Sequence, residues 1–286
     1  MIEKEIVEVS FLTENSRFYE LSILIGMDSL VFVVVDERKM VLALKHWQFE
    51  TVSANIIDNF KLAFNNEPIL NLKYQRVQIA YSTKSFTLVP EKLYNENESA
   101  TYLKNITEVS SWEEIFTDYI PNQKICTVFS IPKEVKNYFL GKFPEASFYH
   151  SNTVLLNTFS KVKFDVDSKK LLFHISKGNL DAILLDGQKL LLLNSYDLSS
   201  TKDLLYFSML IIEQFGLEQT NHQVWVSGNI DENSDIFRQF KKYIPNASLL
   251  NSYVGYQTGA KFQTHISPHK YFTILHFPVY TNDPNL

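Results

Sequence analysis

The sequence predicts an α/β chain made of two copies of one unit, each a mixed sheet with a three-strand antiparallel meander and flanking helices. Three observations predict it. Strand-like apolar runs separated by turn residues occur as a triplet in each half; an amphipathic helical stretch and a further buried strand follow each triplet; a later helix in each half ends in a turn carrying proline.

In the first half, Glu20 to Ile25 reads as an apolar strand, Gly26-Met27-Asp28-Ser29 has turn chemistry, and Leu30 to Val35 is rich in β-branched residues, which together make a hairpin. A polar turn at Asp36-Glu37-Arg38-Lys39 leads to a third strand, Met40 to Leu44. From about Val52 to Phe64, the residues Ile56, Ile57, Phe60 and Phe64 recur at helical spacing, and Val77 to Tyr81 reads as a buried strand.

The second half repeats the order. Leu171 to Ser176, a turn at Lys177-Gly178-Asn179, Leu180 to Leu185, a turn at Asp186-Gly187-Gln188 and Leu190 to Leu193 form the meander. A helix from about Lys202 to Phe215 follows, with Ser199, Ser200 or Thr201 as its N-cap, and then the strand Val224-Trp225-Val226. Each half continues with a helix and a strand: Pro132 to Phe143 leading to Ala146 to Tyr149, and Ser234 to Tyr243 leading to Ala247 to Leu250. The joining turns are Phe143-Pro144-Glu145-Ala146-Ser147 and Ile244-Pro245-Asn246-Ala247-Ser248. The expected boundaries are 1–158 and 159–286. The first half carries an insertion, 85–123, with the polar segment NENESATYLKN, whose tract Asn95-Glu96-Asn97-Glu98-Ser99 reads as a polar helix start or exposed loop, and a short helix expected around Trp112 to Tyr119.

The doubled β-β-β-α-β unit resembles the actin-like ATPase architecture of two ribonuclease H-like domains. More narrowly, the hairpin, FTLVPEKLY and KICTVFSIPKEV resemble an uncharacterised family of Bacteroidota proteins assigned that fold. The resemblance implies a nucleotide cleft in which each domain supplies a first-strand carboxylate and a glycine-rich hairpin turn. The pattern D-I-G-S-S-S-I-K is similar to Leu24 through Val31, which keeps Gly26 and Ser29 but puts Leu24 in place of the carboxylate and Val31 in place of the lysine. The pattern D-L-G-G-G-T-F-D is similar to His174 through Asp181, which keeps Gly178 and Asp181 but has His174 at the metal-organising position and Ser176 and Lys177 for two glycines. Ser227-Gly228-Asn229-Ile230 resembles the adenosine-contacting turn with a single glycine.

The cleft candidates are therefore Gly26, Asp28, Ser29, Lys177, Gly178, Asn179, Asp181 and Gly228, with no catalytic or metal-ligating residue assigned. ATP with magnesium is the one cofactor the resemblance brings with it; otherwise none is expected. Lys177 is a solvated turn residue that could pair with a phosphate. Two-metal nuclease chemistry needs converging carboxylates, and the first strands hold none in their interiors.

Composition narrows the function classes further. With 27 basic and 32 acidic residues spread along 286, the net charge is -5 and no basic cluster invites nucleic acid. The longest apolar runs, Leu30 to Val35 and Leu204 to Ile212, fall short of the roughly 20 residues that span a bilayer. The start MIEKEIVEV has no basic lead into an apolar stretch, as a secretory leader would. Cys126, the only cysteine, sits in an apolar run and reads as a buried hydrophobe. A cytoplasmic location is expected. The 22 Phe and 15 Tyr fall within strand-like and helix-like segments, as core packing requires.

Other constellations lose to plainer readings. His265 and His269 are four apart, but Pro268 interrupts any helix presenting both, so a loop into a strand from Tyr271 to Phe277, with His276 inside it, is expected. His46 and His150 stand near strand ends without a partner pattern. Ser227-Gly228 lacks the glycine two residues earlier that a nucleophile elbow needs, because Trp225 is there. The sequons at Asn97, Asn105 and Asn246 carry no weight in a cytosolic chain. The tail TNDPNL reads as frayed. The expected function is a catalytically inactive actin-like scaffold that binds a protein partner. The alternatives are an ATPase or phosphotransferase with a rearranged site using Asp28 or Asp181, and a small-molecule sensor using the cleft between the domains.

Overall fold

A computed structural model describes residues 2–26, 28–49, 55–163, 169–217, 222–252 and 255–279. The chain divides into two compact units. The first comprises residues 1–154 with 255–266 and those from Thr273 onward; the second comprises 155–254 and 267–272.

In the first unit, β1 (Ile2–Val7), β2 (Glu20–Ile25), β3 (Ser29–Val35), β4 (Met40–Gln48) and β5 (Arg76–Tyr81) build most of one sheet. Strands β2, β3 and β4 form the antiparallel meander, and β5 lies parallel to β2. The central strand β3 is buried from Leu30 to Val35, which is why its sequence is a continuous apolar run and not an alternating one. The charge-apolar alternation at the N-terminus is the period-2 signature of β1, an antiparallel partner of β4 that the sequence reading left without an element.

Helix α1 (Ile56–Asn66) is capped by Asn55, whose side chain accepts from the Ile57 amide at 2.8 Å. Residues 52–54 of the expected helix lie outside the described residues. Phe60 and Phe64 of α1 are fully buried and meet Phe139 edge to face at 5.2 and 5.9 Å.

The insertion supplies two strands of a separate sheet, whose central strand follows directly after it. Strands β6 (Phe86–Pro90), β7 (Glu113–Ile120) and β8 (Ile125–Pro132) pair in the order β6-β8-β7, with α2 (Ser99–Leu103) alongside. The helix expected around Trp112 to Tyr119 is thus a strand. Ile115, Phe116, Thr117 and Tyr119 favour a pleated surface, and Phe116 stacks on Phe129 across the pair at 5.8 Å. Cys126, in β8, is free and buried, and burial raises its thiol pKa. Helix α3 (Lys133–Lys142) leads into β9 (Ser147–His150), which adds to the first sheet parallel to β5.

Helix α4 (Ser151–Lys161) runs from the first unit into the second. It is buried at every position from Ser151 to Ser160, so it shows no amphipathic stripe and the sequence reading passed over it.

The second unit contains β10 (Lys170–Ser176), β11 (Asn179–Asp186), β12 (Lys189–Asp197), α5 (Thr201–Gln214), β13 (Gln223–Gly228), α6 (Asp235–Tyr243) and β14 (Ala247–Leu249). Its sheet order is β12-β11-β10-β13-β14, with β10, β13 and β14 parallel. A full capping box, Ser200 with Asp203, starts α5. One sheet face packs Phe173, Leu180, Leu184 and Val226 against Leu204, Ile211, Phe237 and Phe240 of α5 and α6.

The proline-marked turns match bond for bond. The amides of Phe143 and Ala146 donate to the carbonyls of Phe139 and Phe143, and those of Ile244 and Ala247 to Phe240 and Ile244.

The chain returns to the first unit with β15 (Gln257–Thr258), which pairs with β4, and α7 (Ala260–His265). Where a strand was expected from Tyr271 to Phe277, the structure has α8 (Phe272–His276) followed by a 3-10 turn. Phe272, Ile274, Leu275 and Phe277 are all buried, and an apolar run buried all round does not announce its period. The tail 281–286 lies outside the described residues.

Candidate functional site

Strand register places the first-strand position of each unit within a row of side chains crossing the sheet. In the first unit, Leu24 is the partner of Val31 on one side and of Ala80 on the other, and Val31 is the partner of His46. This row contains no carboxylate. Asp28, only 6% exposed, closes the end of the hairpin. Its carboxylate accepts from Nε2 of Gln48 at 2.5 Å, and its carbonyl accepts from the Phe49 amide at 2.7 Å. The Gly26 amide donates to the Ser29 carbonyl at 2.9 Å, and a Cβ on Gly26 would lie 2.8 Å from Oγ of Ser29. The turn is therefore built around its own hydrogen bonds.

The same row in the second unit is polar. His174 is the register partner of Asp181 and of Ser227, and Asp181 is the partner of Ser195. Nδ1 of His174 lies 2.8 Å from Oγ of Ser227, and Oγ of Ser195 donates to Oδ1 of Asp181. Burial holds the His174 imidazole below its ordinary pKa, with the Asp181 carboxylate opposing the shift. The ring is thus neutral at pH 7. Ser227 is fully buried and Asp181 nearly so.

Asn179 lies two residues from Asp181 on the same face of β11, and its Oδ1 is buried without a hydrogen-bond partner. Lys177 and Gly178 form the exposed tip between Ser176 and Asn179, with Gly178 at φ +71°. Ser195, which completes the row, escaped the sequence reading because only the β11–β12 register brings it to Asp181.

Gly228 has a different reason to be glycine. Its φ is +88°, and a Cβ would lie 2.0 Å from the carbonyl oxygen of Ile175. Its amide donates to the His269 carbonyl at 2.8 Å, and the Asn229 amide donates to Ile175 at 2.7 Å. Two amides that an adenosine-contacting turn would offer are used within the chain.

His269 is the buckle of this turn. Burial lowers its pKa, the hydrogen bond to Ile230 opposing, so the ring is neutral with one N–H. Nε2 lies 2.9 Å from the Ile230 carbonyl, which takes that N–H. Nδ1 lies 3.1 Å from Oδ1 of Asn251, and with the ring's one N–H given to Ile230 a bond there forms only with the amide turned to donate its nitrogen. His265 ends α7 on the surface, and His276 is buried against the Tyr256 ring at 4.9 Å. Among the described residues, no group of three or more His, Cys, Asp or Glu side chains could hold a metal ion.

Residues 8–247 match the model of a protein family described as being of unknown function, DUF3822. The chain belongs to the DUF3822 family. None of the curated proteins matches it. Among solved structures, this DUF3822 protein is similar to a Bacteroides thetaiotaomicron protein of unknown function with an actin-like ATPase fold. The TM-score is 0.80 and the identity 20%, over 94% of this chain and 98% of the other. It is also similar to a structure of the PilM–PilN type IV pilus biogenesis complex, with a TM-score of 0.64 and 13% identity over 91% of this chain and 97% of the other. The fold of the DUF3822 chain is the actin-like ATPase fold.

The residues at the two rows do not fit the magnesium nucleotide that this fold implies. Magnesium takes an octahedral set of oxygens, with carboxylates anchoring its waters. The row through Leu24 supplies none, and the row through His174 supplies only Asp181, which already accepts from Ser195. No described helix is long and apolar enough to cross a membrane.

Proposed function

We propose that this DUF3822 protein is a catalytically inactive actin-like scaffold that acts in the cytoplasm by binding a protein partner. The observation that carries the reading is the apolar row Ala80-Leu24-Val31 at the position where an ATP-hydrolysing relative keeps its carboxylate. Phosphoryl transfer depends on positioned metal and charge, and a leucine positions neither. The donated amides of Gly228 and Asn229 support it further. The PilM–PilN structure, a complex of two named proteins in which the matched chain has the same fold, is compatible with a role in assembly.

Affinity capture from the native host tests the reading: a stoichiometric protein partner, retained whether or not ATP is present, is the expected result. Release of the partner by Mg-ATP would overturn it.

A second reading, a nucleotide-dependent enzyme with a rearranged site, is favoured only by Asp181. This buried carboxylate stands in one row with His174 and Ser195. Steady-state phosphate release that Asp181→Asn abolishes would establish that reading.

A further inference from the structure

A cavity of about 330 Å³ opens within the second unit, at the end of α4 and beside the edge strand β14. Its volume falls at the lower end of the range for small-molecule sites, roughly 300–1,000 Å³. β10, β13 and β14 are parallel, and ligands of open α/β sheets gather beyond the carboxyl ends of such strands. Leu249 ends β14, and Leu250, Asn251 and Ser252 continue from it into the cavity wall.

The lining has a definite chemistry. Trp225 is on β13, between Val224 and Val226, which face the helical core, so its ring lies on the opposite side of the sheet. Trp225 is 8% exposed, and its ring meets that of Phe159 of α4 edge-on at 6.1 Å. Lys161 and Lys163, both exposed, bring two ammonium groups, and among the described residues no carboxylate lines the cavity. Asn251 is fixed by His269, and Ser252 is buried. A lining that combines an aromatic ring, two cations, an amide and a hydroxyl suits a flat apolar body carrying one negative head.

We infer that this cavity binds a small aromatic carboxylate, with the ring against Trp225 and the carboxylate between Lys161 and Lys163. The site lies wholly within the second unit and does not depend on the scaffold reading.

Titration of the full chain with phenylacetate, its neutral isostere phenylacetamide and inorganic phosphate, read by calorimetry and by NMR shifts of the indole N–H signals, tests it. Phenylacetate binds the wild type, and phenylacetamide and phosphate each bind at least about tenfold more weakly, tenfold being a typical loss for one well-placed polar contact. The double variant Lys161→Met/Lys163→Met, altered only at exposed positions, keeps the fold and loses about tenfold for phenylacetate. Equal binding of phenylacetamide, an unchanged affinity in the double variant, equal binding of phosphate alone, or no phenylacetate binding at millimolar concentration would each overturn the inference.

Discussion

Replacing Gly228 with alanine perturbs the second unit at the point where β13 meets β10. The left-handed backbone at φ +88° costs an alanine roughly 1–2 kcal/mol. The added Cβ would also stand 2.0 Å from the Ile175 carbonyl oxygen, far inside contact, and backbone cannot swing aside as a side chain tip can. Relief requires the turn to move. That breaks the Gly228 bond to His269 and the Asn229 bond to Ile175, at about 1 kcal/mol net each. The sum is about 3–4 kcal/mol, a large share of an ordinary domain's stability.

Gly178→Ala is the matched control. Its φ is +71°, but a Cβ there meets nothing within 4 Å, so only the conformational cost of about 1–2 kcal/mol applies. Urea denaturation followed by circular dichroism should therefore show Gly228→Ala losing at least about 1 kcal/mol more than Gly178→Ala, the two broken hydrogen bonds accounting for the difference. Equal losses would refute the close approach of β13 to β10 at this glycine.

Three further outcomes follow from single groups. His174 has its pKa lowered by burial, so the unfolded chain binds the proton more readily. Stability is then present above the unfolded pKa of about 6.5 and falls as pH drops below it, by up to about 1.4 kcal/mol per pH unit. His174→Gln should flatten that part of the stability–pH curve measured by urea titration. Asp118 behaves oppositely: burial raises its pKa to about 7, the His150 amide that it accepts at 2.7 Å opposing. The native state holds that proton between about pH 4 and 7, so its contribution is lost as pH rises through 7. Asp118→Asn should be more stable than wild type at pH 8, with the advantage gone near pH 4. Ser200→Ala removes the N-cap of α5 and should cost about 1 kcal/mol in the same assay, with Thr201→Ala, inside the helix, nearly neutral.

The elements legible in the sequence were those whose signals are local. Gly26 and Gly178 marked hairpin tips, Ser200 marked the start of α5, and the two proline turns paired the halves. The misses share one cause, which is that tertiary contact and not local pattern decides them. Ile115 to Tyr119 is a strand because β8 lies beside it, α4 and α8 are buried on all sides, and β1 is short and charged until β4 pairs with it. Of the candidate site, the duplication located Leu24, His174 and Gly228. The partnership of His174 with Ser227, the bond from Ser195 to Asp181 and the work of His269 depend on register and on a segment some 40 residues downstream of Gly228.

Neither row offers the oxygen ligands that a magnesium nucleotide needs: the one through Leu24 has no carboxylate and the one through His174 has only Asp181. Calorimetric titration of the full chain with Mg-ATP and Mg-ADP measures this directly. No saturable heat is expected at micromolar nucleotide, for the wild type and for Asp181→Asn alike. Sub-micromolar binding that disappears when Gly26 or Gly178 is replaced would contradict it.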